Sequence, residues 1–147
     1  MEARPATRAD LAKVFRNLAD RMSAEYKNAG FNQAQAKQLF TQSVDQGRAH
    51  ALIHEDEVLA VIAWTIHEGA AHTSFAATEG FFQGRFMPWF GEHLGQIQLM
   101  AGGVDLVSTS WSELPSVPGW FKRLGFRDPF LNGKAMVYVL PAPPKSA

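Results

Sequence analysis

A chain of 147 residues has the length of one ordinary domain, and that length allows it to bury a hydrophobic core without disulfide or metal staples. The 14 basic and 14 acidic residues give a formal net charge of zero. This balance argues against nucleic acid as the main partner, because phosphate binding needs concentrated Lys and Arg. The sequence contains no cysteine, which excludes disulfides, thiolate nucleophiles and thiolate metal ligands.

No stretch of the sequence has the length and hydropathy of a signal sequence or a membrane span. Residues 1–5 lack an apolar core, and the longest apolar run, residues 58–64, is far shorter than the roughly 20 residues that cross a bilayer. We therefore expect no membrane partner and a cytoplasmic location. The five histidines lack the pattern of a third ligand, so we predict no metal site.

Apolar residues recur at helical spacing through the first third of the chain. Thr7 and Asp10 match an N-cap and a first-turn acid, and Gly30 ends the run. A second run begins at Asn32 and stops at Gly47. The predicted buried stripes are Leu11, Val14, Phe15, Leu18 and Met22 in the first helix and Ala36, Leu39, Phe40 and Val44 in the second.

The pattern changes to β-compatible residues after Gly47. Residues 48–54 and 58–68 flank the charged turn at 55–57 and predict a hairpin, and Gly69 lies in a second turn. The remaining predicted elements are a strand over 72–79, a helix over 86–101, a strand over 104–110, a helix over 117–124, a strand over 134–140 and a Pro-rich tail over 141–147.

With an optional short strand over residues 2–4, the predicted order is (β)ααβββαβαβ. Strands that form hairpins first and then alternate with helices indicate an α/β (α+β) protein with a mixed sheet flanked by helices. We predict a single domain over residues 1–140.

Two segments in this order resemble the GNAT acetyltransferase family, and the resemblance covers nearly the whole chain. Residues 4–11, Arg-Pro-Ala-Thr-Arg-Ala-Asp-Leu, are similar to its first strand-to-helix junction. Residues 120–127, Trp-Phe-Lys-Arg-Leu-Gly-Phe-Arg, are similar to its late signature, in which a helix runs into Leu-Gly-Phe. The resemblance implies a GNAT-like mixed sheet and transfer of an acetyl group from acetyl-CoA to an amine.

The family binds the pyrophosphate of coenzyme A on backbone amides at a helix N-terminus, in a loop of the form Gln/Arg-x-x-Gly-x-Gly/Ala. Glycines let the backbone approach the phosphates, and the helix dipole favours anions. In this sequence Phe86 and Pro88 replace the two small residues of the pattern. The cofactor-binding residues that the resemblance implies are Gln83, Gly84, Arg85, Phe86 and Met87.

The residues that would carry catalysis also depart from the family pattern. The tyrosine that commonly protonates the departing thiolate corresponds to Phe121, which has no proton to donate. Glu79 is the predicted general base, with His72 as a second candidate. The alternative for Glu79 is a solvated loop acid without a catalytic role. The hydroxyl side chains at 108–110 are predicted to line the cleft. A water molecule or a nearby serine is an alternative to the missing acid.

Two functions are consistent with this pattern. The first is a degenerate GNAT-like protein that serves as a structural or protein-binding module without a cofactor. Short acetyltransferase-like proteins of tailed bacteriophages are similar in length and in their weakened loops, which implies a virion or assembly role. Its protein partner, or a second copy, would bind through an aromatic surface of Phe82, Trp89 and Trp111. The second is an active N-acetyltransferase that uses acetyl-CoA.

Overall fold

The computed structural model describes residues 1–144, and residues 145–147 at the end of the predicted tail lie outside the described part. The elements in chain order are β1 (Glu2–Pro5), α1 (Arg8–Arg16), α2 (Asp20–Asn28), α3 (Gln33–Asp45), β2 (Ala49–His54), β3 (Glu57–His67), β4 (Ala70–Ala77), two 3₁₀ turns (Glu79–Phe81 and Gly84–Phe86), α4 (Met87–Met100), β5 (Leu106–Ser110), α5 (Val117–Arg123), β6 (Phe130–Asn132) and β7 (Ala135–Leu140).

The strands form a mixed sheet in the order β1-β2-β3-β4-β5-β7-β6. The β4–β5 pair is parallel, whereas β1–β2, β2–β3, β5–β7 and β6–β7 are antiparallel. This confirms the predicted fold class. By its contacts the chain divides into two compact units, Met1–Thr65 with Ser74–Gly84, and Ile66–Thr73 with the chain from Arg85 onward. The boundaries of the single domain over residues 1–140 stay a prediction.

In the first unit, α1 begins with the predicted cap. The Thr7 side chain accepts a hydrogen bond from the Asp10 amide at 3.1 Å, and the Asp10 carboxylate accepts one from the Thr7 amide at 2.9 Å. Both groups satisfy amides that a helix start leaves without an intrahelical partner. Arg4 also donates to both carboxylate oxygens of Asp10, at 2.6 and 2.9 Å, so β1 is tied to the helix that follows it.

The prediction of one continuous helix before Gly30 is wrong, because this segment forms two helices, α1 and α2. α1 ends at Arg16, and the connection then leaves the helical path to pair with β4. Leu18 forms an antiparallel bridge with Thr78, and the Ala19 amide donates to the Ala77 carbonyl at 2.9 Å. The helical spacing of apolar residues runs through this connection, so the break depends on a distant strand and not on the local pattern.

Two other details of the first unit differ from prediction or extend it. Leu39 was predicted to be buried but is 48% exposed, because the inner face of α3 is formed by Ala36, Phe40 and Val44. The β2–β3 hairpin forms as predicted without a glycine in its turn. Glu55 and Asp56 take positive φ values of 50° and 64°, which match the right-handed twist of the strands.

In the second unit, α4 buries the predicted face. Phe90, His93, Leu94 and Ile97 are each at most 4% exposed. The side-chain amide of Gln98 donates to the Leu140 and Pro141 carbonyls at 3.1 and 2.8 Å, which ties α4 to the end of β7. The tail is held further by the Ala142 amide, which donates to the Asp105 carboxylate at 2.6 Å.

The strand β6 was not predicted. Asn132 pairs with Ala135, so Gly133 and Lys134 form a two-residue turn between β6 and β7, with Gly133 at a φ of 62°. Glycine at the first of two loop positions is typical of a tight hairpin turn, and this signal was available in the sequence. Over residues 1–144, none of the helices has the length and apolar character that a membrane span requires.

Candidate active site

The predicted cofactor loop forms two consecutive 3₁₀ turns and leads into α4. Gln83 and Gly84 are exposed, and the boundary between the two units falls directly after Gly84. A Cβ added to Gly84 would meet no atom within 4 Å, and its φ lies outside the left-handed region. Neither backbone conformation nor packing within the protein therefore requires glycine at this position, which leaves open space next to the backbone.

Phe86 occupies a position where the family pattern has glycine, but its ring is directed into the protein. Phe86 is only 6% exposed and belongs to the buried face that continues into α4. The hydrophobic core therefore accommodates the Phe86 ring. The guanidinium of the exposed Arg85 lies 4.8 Å from the centre of the Phe86 ring, so the ring supports a cation at the start of the helix.

Pro88, the second departure from the pattern, lies in the first turn of α4. A proline there removes no intrahelical hydrogen bond, because the first amides of a helix have no carbonyl partner within it. The N-cap residue Phe86 makes no side-chain hydrogen bond to these amides. Both departures therefore fit the local structure, with Phe86 in the core and Pro88 where helices accept proline.

Glu79, the predicted base, lies just beyond β4 in the 3₁₀ turn Glu79–Phe81, so the prediction that the strand includes it is wrong. Its carboxylate accepts a hydrogen bond from the Arg21 guanidinium at 2.6 Å, and its side chain is 66% exposed. The same guanidinium lies 4.0 Å from the centre of the Phe82 ring. The structure thus places Glu79 in a surface ion pair, and its role as base stays a prediction.

Phe121, at the position of the family's acid, is packed by aromatic rings. Its ring stacks on Tyr138 with a centroid distance of 3.9 Å and an interplanar angle of 12°. Trp120 and Phe126 make edge contacts with it at 5.1 and 5.0 Å. Phe121 therefore serves as a packing residue between α5 and β7.

The hydroxyl side chains of β5 have different surroundings. Ser108 is partly buried, and its Oγ lies 2.6 Å from Thr73 Oγ1, its register partner on β4. Thr109 follows it and therefore faces the opposite side of the sheet. Ser110 is 4% exposed, and its Oγ accepts a hydrogen bond from the Ser112 amide at 3.2 Å. Ser108 and Thr109 therefore cannot both line a cleft on one face of the sheet.

His72, the second candidate base, lies on β4 near the turn that the sequence predicted. Its ring is 5.7 Å from that of His67 in an edge-to-face arrangement. Within residues 1–144 there is no group of three His, Asp or Glu side chains that could hold a metal ion. The catalytic role of His72 stays a prediction.

The aromatic residues predicted to bind a partner are partly buried. Phe82 carries the Arg21 guanidinium, and Trp89 stacks on His93 at 5.1 Å. Trp111 is also partly buried. Large apolar side chains with greater exposure occur elsewhere, including Leu131 at 73% and Leu99 at 66%. A protein partner or self-association through Phe82, Trp89 and Trp111 stays a prediction.

The backbone is similar to those of acetyltransferases of known structure. The PaiA N-acetyltransferase of Thermoplasma acidophilum, solved in complex with coenzyme A, has a TM-score of 0.72 at 11% identity, covering 95% of this chain and 98% of that protein. The GNAT domain of PAT from S. lividans has a TM-score of 0.70 at 16% identity, covering 95% and 89%. This chain has the GNAT fold.

A third GNAT-fold neighbour is AAC(6')-Ib, solved in complex with ribostamycin and coenzyme A. Its TM-score is 0.66 at 12% identity, and the alignment covers 95% of this chain and 92% of that protein. No protein-family model matches the sequence, and no curated protein matches it either. At these identities the likeness establishes the fold, and the function has to be argued from the residues of the site.

Proposed function

We propose that this GNAT-fold protein is an acetyl-CoA-dependent N-acetyltransferase that acetylates an amine. The observation that carries the proposal is the local structure of the predicted loop. The ring of Phe86 is buried, Pro88 occupies a tolerated helix position, and the space beside Gly84 is open. The sequence departures that suggested a degenerate loop are thus compatible with binding of a phosphate group.

The residues of this segment suit the pyrophosphate of coenzyme A. The first-turn amides of α4 carry no side-chain cap from Phe86, and helix N-termini favour anions. Arg85 adds a positive charge at the start of the same helix. We assign pyrophosphate binding to Gln83, Gly84, Arg85 and the backbone amides of the first turn of α4.

When bound, acetyl-CoA supplies the acetyl group as a thioester. The protein's part is to hold the reacting groups in orientation and to accept the proton that the amine loses. We assign that acceptance to the Glu79 carboxylate, which is exposed and is oriented by its ion pair with Arg21. Phe121 has no proton for the departing thiolate, so this role requires another group.

Titration calorimetry tests the proposal directly. We expect micromolar affinity for acetyl-CoA and at least about tenfold weaker binding of S-acetylpantetheine, which lacks the pyrophosphate. Release of coenzyme A in the presence of an amine panel then tests turnover. No binding of acetyl-CoA at millimolar concentration would refute the proposal. That result would favour the predicted protein-binding role. No observation on the described residues supports the virion or assembly role that was predicted with it.

A further inference from the structure

Phe121 occupies the position that the family resemblance assigns to a proton donor, and it has no proton to donate. A tyrosine, Tyr138, lies against its ring. The Phe121 ring covers one face of Tyr138, which is 2% exposed and belongs to β7. A phenol that is buried in this way is part of the core and is not presented to a ligand. Tyr138 therefore does not replace the missing tyrosine.

The next side chain in the row across the sheet is Ser108. Ser108 lies directly opposite Tyr138 in the antiparallel β5–β7 register and directly opposite Thr73 in the parallel β4–β5 register. Paired residues of neighbouring strands project to the same face, so these three side chains form one row. Of the three hydroxyl residues at 108–110, Ser108 alone is in this row and only partly buried.

The hydrogen bonds of Ser108 can take two arrangements. In the first, Ser108 donates to Thr73 at 2.6 Å, and Thr73 donates to the Val107 carbonyl at 3.4 Å. In the second, Thr73 donates to Ser108, and the hydroxyl hydrogen of Ser108 is available to a ligand. The change gives up only the long bond to Val107, which is weak at that distance. A hydroxyl that itself accepts a hydrogen bond is also the stronger donor.

We propose that Ser108, polarised by Thr73, donates the hydrogen bond that stabilises the thiolate of coenzyme A during acetyl transfer. This inference rests on the proposed acetyltransferase function. As the amine nitrogen bonds to the thioester carbonyl carbon, the carbon–sulfur bond breaks and its electron pair remains on sulfur. The amine proton passes to the Glu79 carboxylate and the thiolate takes a proton from solvent, which gives an amide and a thiol. Ser108 keeps its own proton, because an alkanol is a weaker acid than a thiol.

The test compares binding of coenzyme A with binding of desulfo-coenzyme A at pH 10. The thiol of coenzyme A is a simple alkyl thiol, whose pKa lies about one unit above the ordinary cysteine value of about 8.5, so it is mostly ionised at pH 10 and the two ligands then differ in a thiolate. We expect the wild-type protein to bind coenzyme A at least about tenfold more tightly than the desulfo compound, as for a hydrogen bond to a charged group. Ser108→Ala should bring the ratio of the two dissociation constants close to one.

Two further variants make the comparison specific. Ser108→Thr keeps a hydroxyl and should keep the ratio within about threefold of wild type, whereas Thr73→Val should lower the ratio partway, because it removes the polarising partner. Thr109→Val removes the neighbouring hydroxyl from the opposite face and should leave the ratio unchanged.

The outcomes separate this inference from the function on which it rests. Equal binding of both ligands by the wild-type protein at pH 10 would overturn the role of Ser108 and leave the acetyltransferase proposal standing. The same conclusion follows if Ser108→Ala binds both ligands with the wild-type ratio. If the wild-type protein binds neither ligand at millimolar concentration, both proposals are wrong. The wild-type ratio needs no variant, so a failure of Ser108→Ala to fold leaves the inference open to refutation.

Discussion

The ring of Phe121 on α5 stacks face to face on the ring of Tyr138 on β7, with 3.9 Å between their centres. Stacked aromatic pairs contribute beyond their buried area. We expect Phe121→Ala to lower the free energy of unfolding by about 2–4 kcal/mol, since the ring is only partly buried. Phe121→Leu keeps most of the apolar volume and should cost about 1 kcal/mol. Urea unfolding monitored by tryptophan fluorescence measures both. Equal, small losses in the two variants would show that the stacking contributes little.

The open space beside Gly84 predicts a variant that affects binding without affecting the fold. A leucine at this position meets no protein atom at its Cβ, so Gly84→Leu should change the free energy of unfolding by less than about 1 kcal/mol. The same side chain would fill the space next to the loop backbone. We expect the dissociation constant for acetyl-CoA, measured by calorimetry, to rise at least about tenfold.

Gly95 is the matched control for Gly84. A Cβ added to Gly95 also meets no atom within 4 Å, but this residue lies in the interior of α4, beyond its first turn. Gly95→Leu should therefore bind acetyl-CoA as the wild-type protein does. If both leucine variants bind with unchanged affinity, the cofactor does not approach the backbone at Gly84.

The ion pair between Glu79 and Arg21 allows the catalytic role of Glu79 to be separated from a structural one. Glu79→Gln removes a proton acceptor and should lower kcat for amine acetylation by about a hundredfold, with the KM for acetyl-CoA unchanged. Arg21→Gln breaks the same 2.6 Å contact but keeps the carboxylate, so it should lower kcat much less. Equal effects of the two substitutions on kcat would mean that only the ion pair matters and that Glu79 is not the base.

The sequence predicted the presence of helices and strands better than it predicted where they end and which side chains they bury. The cap formed by Thr7 and Asp10 was predictable because all of its atoms lie within one turn. The break between α1 and α2 was not, because it depends on the bridge between Leu18 and Thr78 and on the hydrogen bond from Ala19 to the end of β4, about 60 residues away. Leu39 was misassigned for a related reason, since helical spacing does not reveal which of two adjacent apolar positions faces the core.

Some features of the candidate site were likewise predictable from the sequence, and others were not. The loop and the position of Phe121 were identifiable from contiguous motifs. The sequence could not show that the ring of Phe86 is buried, that Arg21 reaches Glu79, or that Thr73 meets Ser108. Each of these facts depends on a contact between distant residues or on the direction of one side chain. These contacts also decide whether a departure from a motif disturbs the site or is accommodated by the fold.

The Asp10 carboxylate should make the fold sensitive to acid. Its hydrogen bonds from Arg4, and also those from Thr7, hold the pKa of Asp10 below its ordinary value. An unfolded aspartate binds a proton near pH 3.9, whereas the folded one resists it to lower pH. Its contribution to stability is therefore complete above about pH 4 and is lost as the pH falls through the depressed folded value.

Asp10→Ala should accordingly lower the free energy of unfolding by about 1–3 kcal/mol at pH 7, and the difference from wild type should shrink below about pH 4. Asp45→Ala is the control, because it removes a more exposed carboxylate that pairs with Arg8 across the surface. Its effect should be smaller, since exposed ion pairs contribute little and an acid at the end of a helix opposes the helix dipole. A difference for Asp10→Ala that stays constant down to pH 3 would contradict this explanation.

His50 predicts a second pH dependence, closer to neutrality. Its ring lies 5.1 Å from that of the buried Trp64 in an edge-to-face contact, and burial holds the pKa of His50 below its ordinary value. Between the ordinary value of about 6.5 and the lower folded value, the unfolded chain binds the extra proton. The free energy of unfolding should therefore fall as the pH is lowered below about 6.5 and should level off below the folded pKa.

His50→Gln should reduce the slope of stability against pH between about pH 5 and 7, measured by urea unfolding, since glutamine does not titrate. His67→Gln, which replaces a side chain that is 70% exposed, should keep the wild-type slope. An unchanged slope in His50→Gln would assign this pH dependence to a different group.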